Sequence, residues 1–187
     1  ERIRAERKIA AGQGEIEKAK RTEADFKRDL EYINSYNGAK ATLLLNLPQA
    51  STEEVGRELH RIAKTYRNGA YGTVGTYAGL NLLVHSEYNM DGTFDRNTFF
   101  VEGISGLKYR CGLSGALPLG FVESAQYPHG ALSKLPSLIE KQQKAVERIE
   151  SEIPTLQDII CRQWSKADEL SRLKQECKEL QHRIDES

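Results

Sequence analysis

The stretch LNLLVHSEYNMDGTFDRNTFFVEGISGLKYRCGL, residues 80–113, decides the fold class. Apolar and polar residues alternate along three segments of it, and a period of two is typical of β-strands with one buried face. Turn-forming residues at 89–95 and 105–106 separate these segments. The stretch therefore predicts an antiparallel meander of three or four strands.

A helix is predicted before the meander, over residues 52–67. Ser51 and Glu54 form a capping-box pattern, in which a serine hydroxyl and a glutamate satisfy backbone amides at a helix start. One face of this helix is apolar and should pack on the sheet. Its members are Val55, Leu59, Ile62 and Tyr66. Further upstream, the apolar run 41–45 predicts a short strand.

Residues 1–36 read as one long charged helix that ends at Asn37-Gly38. Its apolar and small residues recur at alternating spacings of three and four, an arrangement we call a heptad seam. The members are Ile9, Gly12, Ile16, Ala19, Phe26, Leu30 and Ile33, with a polar break at Glu23.

The chain returns to helix after residue 126. A helix begins at Leu135-Pro136 and keeps its heptad phase through Pro154, which predicts a kink there rather than an end. The pattern breaks at Trp164-Ser165, and a last helix follows. Its seam consists of Leu170, Leu173, Cys177, Leu180 and Ile184. Three seams of one type predict that the first helix and the last two pack together.

These patterns predict an α+β chain in three parts. Residues 1–37 form the N-terminal helix of a stalk, 38–125 a small α+β domain, and 126–187 a C-terminal helical hairpin that packs on the N-terminal helix. The only methionine is Met90, so we expect the chain to be a segment of a larger protein.

Composition excludes several classes of protein. The 27 Lys and Arg residues balance the 27 Asp and Glu residues, so net charge gives no argument for a nucleic-acid or membrane partner. No apolar run reaches the ~20 residues that cross a bilayer. The three cysteines show no metal or redox spacing, which favours free thiols in a reducing cytoplasm.

No pattern of catalytic residues stands out. None of the four histidines has a second ligand at metal spacing, and the glycines at 69–79 match no phosphate-binding loop. We expect no active site, no cofactor and no bound transition metal. Several aromatic residues lie on or beside the strands, and core packing is the favoured interpretation over base stacking. They are Tyr77, Tyr88, Phe99, Phe100 and Tyr109.

Basic residues on the 52–67 helix are the one suggestive feature. They recur at helical spacing, largely away from the apolar face, as residues that follow a phosphate backbone do. We call them the cationic stripe: Arg57, His60, Arg61, Lys64 and Arg67. An ordinary solvated helix face is the favoured interpretation of these residues, and contact with a phosphate backbone is the alternative.

Four short motifs in sequence order carry a family resemblance. They are Thr52–Ala63 with its Gly56 and Leu59, then 77–80, Leu135-Pro136 and 169–173. The chain resembles the C-terminal accessory region of large helicase/DNA-methyltransferase fusion proteins of bacterial conjugative and phage elements. The resemblance implies a non-catalytic part of a DNA-processing protein, with neighbouring domains of that protein as partners.

Two hypotheses follow. In the first, the chain is an accessory domain that contacts the DNA backbone non-specifically through the cationic stripe. In the second, it is a coiled-coil module for protein–protein interaction or self-association, without DNA contact. An exposed seam after the helices have packed would favour the second.

Overall fold

The computed structural model describes residues 1–36, 50–112, 117–161 and 167–185. Three predicted features lie outside these residues: the strand at 41–45, the helix end at Asn37-Gly38, and the helix start at Trp164-Ser165.

Four strands form one antiparallel sheet in the order β1-β2-β3-β4. Their bounds are β1 Gly72–Tyr77, β2 Leu80–Tyr88, β3 Phe94–Glu102 and β4 Lys108–Arg110. The predicted meander is therefore confirmed, and its first strand comes from the glycine-rich run. The register of β1 shifts between Thr73 and Gly75, as at a β-bulge.

The β1–β2 hairpin closes through a two-residue turn, since Tyr77 pairs directly with Leu80. Both turn residues have left-handed backbone conformations, with φ of 50° at Ala78 and 74° at Gly79. Two consecutive positive φ values are what a type I′ turn requires. Glycine adopts this conformation readily, whereas alanine does so at a cost.

Six helices are present in the described residues. They are α1 Arg2–Ser35, α2 Thr52–Thr65, α3 Phe121–Gln126, α4 His129–Leu132, α5 Leu135–Cys161 and α6 Ala167–Asp185. The fold class is thus α+β, as predicted. The helix α5 continues through Pro154.

The helix α2 begins as its sequence predicts. The Ser51 hydroxyl accepts a hydrogen bond from the Glu54 backbone amide at 3.3 Å, and the Glu54 carboxylate accepts one from the Ser51 amide at 2.7 Å. At the other end, the Asn97 side chain on β3 donates to the carbonyl oxygens of Ala63 and Tyr66, both at 2.9 Å. A buried amide on the sheet therefore satisfies carbonyls that the end of α2 leaves unpaired.

Residues 17–146 form one compact unit. Its core joins α2, the inner face of the sheet, and the segment that leads into α5. The most deeply buried apolar side chains are Leu59, Leu82, Val84, Phe99, Val101 and Leu135. Gly56 allows α3 to approach α2, because a Cβ at Gly56 would overlap the backbone of Phe121.

The polar break in the α1 seam has a partner on α5 within this unit. Gln143 donates a hydrogen bond to the Glu23 carboxylate at 2.8 Å, and Lys27 pairs with the same oxygen at 2.7 Å. These bonds hold the pKa of Glu23 below its ordinary value. The break is thus a polar contact between two helices.

Residues 1–16 and 147–187 form the second unit. The helices α1 and α5 are in contact in this unit as well, since a Cβ added at Gly12 would lie 2.9 Å from Ile149 Cγ2. Most seam residues of this unit are half-buried, for example Ile9, Ile153 and Leu156. Half-buried seam residues are typical of two helices in contact, because a third helix packed over the seam would bury these side chains more fully.

The last helix differs from the expectation that all three seams pack together. Every residue from 169 to 184 on α6 is exposed. The seam of α6 therefore has no cover within the described part of the chain.

Candidate interaction surfaces

Two cations of the stripe pair with glutamates of their own helix. Arg57 lies 2.7 Å from Glu53, and Arg61 donates two hydrogen bonds to Glu58 at 2.5 and 2.7 Å. The Arg61 guanidinium lowers the pKa of the Glu58 carboxyl. The helix α2 carries three glutamates and three Lys or Arg residues, so its formal charge is zero.

His60 faces α3 rather than open solvent. Its Nε2 lies 2.9 Å from the Ser124 hydroxyl, and its ring packs edge-on against Phe121 with centroids 5.1 Å apart. Ser124 is fully buried and donates to the carbonyl oxygen of Gly120 at 2.8 Å, or to that of Pro118 at 3.0 Å. Because the Ser124 hydroxyl is buried and bonded to backbone carbonyls, we interpret this His–Ser pair as a structural link between α2 and α3.

The remaining cations of the stripe, Lys64 and Arg67, are exposed. The Arg67 guanidinium lies 3.5 Å from the centroid of the Phe94 ring, at cation–π distance. Phe94 in turn packs against the exposed Tyr88. The stripe therefore ends beside two aromatic rings, although His60 is not part of its solvent face.

Three of the five aromatic residues noted in the sequence belong to the core: Tyr77, Phe99 and Tyr109. Phe100 lies on the opposite face of the sheet. There its ring packs against Tyr71 with centroids 5.3 Å apart, and Tyr71 also packs against His85. The sequence patterns did not indicate Tyr71, which immediately precedes β1 and packs on this face of the sheet.

A buried carboxylate that sequence reasoning missed joins α1 to the sheet. Asp29 is fully buried and accepts hydrogen bonds from the Ser105 amide at 2.9 Å, the Ser105 hydroxyl at 2.6 Å and the Tyr109 hydroxyl at 2.5 Å. Gly103 completes the site, because any Cβ there would overlap the carboxylate.

The three donors to Asp29 are two hydroxyls and an amide. Burial, and then the bond to Asp29, raise the pKa of the Tyr109 hydroxyl, so that group stays protonated as a donor. All the contacts are internal, and we therefore interpret this cluster as a structural anchor.

The seam of α6 forms a regular apolar stripe that is exposed among the described residues. Its five residues are Leu170, Leu173, Cys177, Leu180 and Ile184, which we call the α6 seam. The exposed fraction rises along it from 40% at Leu170 to 68% at Ile184. Apart from Ala167, polar residues occupy the rest of α6, so the helix has one apolar stripe and no partner for it among the described residues.

The described residues contain no group of three or more His, Cys, Asp or Glu side chains that could hold a metal ion. No described helix has both the length and the apolar character that a membrane span requires. Cys161 and Cys177 are exposed, whereas Cys111 is buried and its thiol has a pKa raised by burial to about 12. Cys111 is accordingly a core residue.

Together, the sheet and its packed helices define a small α+β domain extended by long helices. The chain belongs to the family DUF8438, a domain of unknown function, whose model matches residues 27–132. No curated protein and no solved structure matches the chain. The matched range contains Asp29, α2, the sheet and α4, whereas α6 lies outside it.

Proposed function

We propose that this protein is a non-catalytic interaction module of the cytoplasm that assembles by taking a helix of another molecule onto the α6 seam. The observation that carries this proposal is the exposure of the entire seam. A regular apolar stripe facing water is the usual mark of a protein–protein contact. Most of the stability of helices in proteins comes from packing of an amphipathic face, so docking would stabilise α6.

The free energy that burial of the α6 seam would contribute is of the size expected for a reversible contact. Full burial of a Leu or Ile side chain contributes about 1.5–3 kcal/mol, so covering the exposed half of one contributes about 1 kcal/mol. Four such residues on α6 and a similar number on the partner give about 8 kcal/mol. The loss of translational and rotational freedom costs about 4–15 kcal/mol. The seam therefore supports association that depends on concentration and on a well-matched partner.

Cysteine labelling in cell extract tests this proposal without knowledge of the partner. Cys177 lies in the α6 seam, and Cys161 is an exposed thiol outside it. Docking should protect Cys177 from a maleimide while Cys161 reacts, and the Leu173→Lys variant should lose that protection. Equal labelling of the two thiols in the wild-type chain would contradict the proposal.

DNA contact through α2 is a second candidate, and one observation favours it. The stripe ends where Arg67 stacks on Phe94 beside the exposed Tyr88, and cations next to exposed rings are common in nucleic-acid sites. The zero formal charge of α2 weakens this candidate, because non-specific binding to DNA depends on net positive charge. In this reading the chain would serve as an accessory part of a DNA-processing protein.

A further inference from the structure

The positions of the α6 seam follow a heptad in which Leu170, Cys177 and Ile184 occupy a and Leu173 and Leu180 occupy d. A β-branched residue at a with leucine at d favours two parallel strands. Here both d positions are leucine, and one a position is isoleucine. The two d positions and one of the three a positions therefore match the composition of a parallel two-stranded coiled coil, whereas Leu170 and Cys177 at the other a positions do not select an oligomer.

Parallel pairing in register also covers the seam most completely. It stacks each of the five residues on its own copy, which gives five apolar layers. The best antiparallel alignments give four, because Leu170 or Ile184 then faces a polar residue. Since every layer removes exposed apolar surface, the parallel arrangement hides more of it.

Charges beside the seam are compatible with this arrangement. Glu169 occupies a g position and Lys174 the following e position, and both are exposed. In a parallel dimer, g pairs with the next e of the partner, so Glu169 of each copy would meet Lys174 of the other. The next such pair is Glu176 with Gln181, which brings no like charges together. Antiparallel pairing would bring Glu176 to Arg183, so the number of apolar layers, not charge, decides the direction.

We propose that the occupant of the α6 seam is the α6 helix of a second copy of this chain, parallel and in register, with Cys177 facing Cys177 at the centre of the seam. This inference rests on the proposed function and makes it specific. The layers on either side of Cys177 are Leu173 and Leu180, so the two thiols meet inside an apolar contact.

Oxidative cross-linking of the purified full chain tests this arrangement. A Cys161→Ser background leaves Cys177 and the buried Cys111. On mild oxidation we expect a disulfide-linked dimer that Cys177→Ser abolishes and that Leu173→Lys slows about tenfold or more, since a factor of ten requires only ~1.4 kcal/mol. The matched control is the Cys177→Ser chain, which keeps Cys161. If Cys161 cross-links as fast as Cys177, random collision explains the dimer and the proposal fails.

A second variant determines the direction of the helices. In the Cys161→Ser background, the change Cys177→Ser with Leu180→Cys moves the thiol by one layer. Parallel pairing predicts homodimers of each chain and little mixed product when the two are combined. The antiparallel alignment that stacks Leu173 on Ile184 places position 177 opposite position 180, so a dominant mixed product would overturn the proposal. The other four-layer alignment places position 177 opposite Leu173, so failure of the two chains to form homodimers would overturn it as well.

Sedimentation without oxidant completes the test. We expect the average mass of the wild-type chain to rise from monomer towards dimer with concentration, whereas Leu173→Lys stays monomeric. A wild-type chain that stays monomeric at every concentration would overturn the second-copy occupant. If Cys177 were nevertheless protected in cell extract, the interaction module would stand with a different partner, so the two failures can be distinguished.

Discussion

The carboxylate of Asp29 on α1 accepts a hydrogen bond from the Tyr109 hydroxyl on β4 at 2.5 Å, and both residues are buried. This bond joins the first helix to the last strand across 80 positions of sequence. The same carboxylate binds Ser105 in the turn between β3 and β4. One side chain of α1 therefore bonds both to the β3–β4 turn and to β4, beside the apolar contacts of Phe26 with the same strand.

Removal of this carboxylate should destabilise the protein strongly. Asp29→Ala leaves the buried Tyr109 hydroxyl and the half-buried Ser105 donors without this acceptor, and a fully buried group in that state costs about 1–3 kcal/mol. We expect a loss of about 3 kcal/mol or more in the free energy of unfolding, measured by urea denaturation. Tyr109→Phe should cost about 1–2 kcal/mol, and the double variant should cost less than the sum. Strict additivity would show that the two residues do not interact.

The cap that Asn97 provides for α2 leads to a second prediction. Asn97→Asp keeps the size of the side chain but replaces its donor with an oxygen that faces the carbonyls of Ala63 and Tyr66. We expect a loss of about 2–3 kcal/mol in unfolding free energy. Asn81→Asp on β2 is the control at an exposed site, where the new carboxylate faces Glu102 and should cost about 1 kcal/mol or less. Equal effects of the two substitutions would argue against the cap.

Stability should fall in alkali because of Cys111. Burial raises the pKa of its thiol from 9.0 to about 12, so between these values the folded chain holds more protons than the unfolded chain. Unfolding free energy then decreases as pH rises above 9, by at most about 1.4 kcal/mol per pH unit. The contribution is fully present below pH 9.

The Cys111→Ala variant isolates this effect. It should lose about 1–2 kcal/mol at pH 7 through the small cavity, yet show a flatter decline between pH 9 and 10. Tyr109 also has a raised pKa, but its ordinary value of 10.0 places its contribution at higher pH. Urea denaturation at pH 7, 8, 9 and 10 measures the profile. Parallel profiles for the two chains would refute the assignment to Cys111.

The β1–β2 turn offers a stabilising substitution. Ala78 has a φ of 50°, a conformation that costs an L-residue about 1–2 kcal/mol and costs glycine almost nothing. Ala78→Gly should therefore raise unfolding free energy by about 0.5–1 kcal/mol, after the entropy of the unfolded chain is counted. Gly79→Ala is the opposing control and should destabilise, as its φ is 74° and a Cβ would lie 2.6 Å from the Tyr32 hydroxyl. A lower melting temperature for Ala78→Gly would contradict this account.

The DNA candidate makes an electrostatic prediction. About four phosphate contacts would give a salt slope near −3.6, so affinity should fall on the order of 100-fold between 50 and 200 mM salt. The double variant Arg57→Ala with Lys64→Ala should reduce the magnitude of that slope by about two. It should also weaken binding equally for every DNA sequence. Lys141→Ala with Arg148→Ala on α5 changes the charge equally and should have no effect on the slope. Absence of binding at 50 mM salt would eliminate this candidate.

Local patterns in the sequence predicted much of the fold. The capping box at Ser51 starts α2 where expected, and the alternation in residues 80–111 produces the observed meander. Both depend on interactions between residues close in sequence or on a simple period of burial. A heptad period marked the α6 seam, because such a pattern is visible in the sequence without any knowledge of the partner.

Only the tertiary structure decided which polar residues are internal. In the sequence, Asp29 is one of many charged residues of a long helix, and only the fold brings Ser105 to it. Likewise, helical spacing assigns His60 to the cationic stripe, and only the fold brings Ser124 to it. These contacts join residues 76 and 64 positions apart, and no local period encodes such distances. The sequence by itself determined the elements and their apolar faces. The tertiary structure decided which faces are covered, because burial depends on what the rest of the chain brings to each surface.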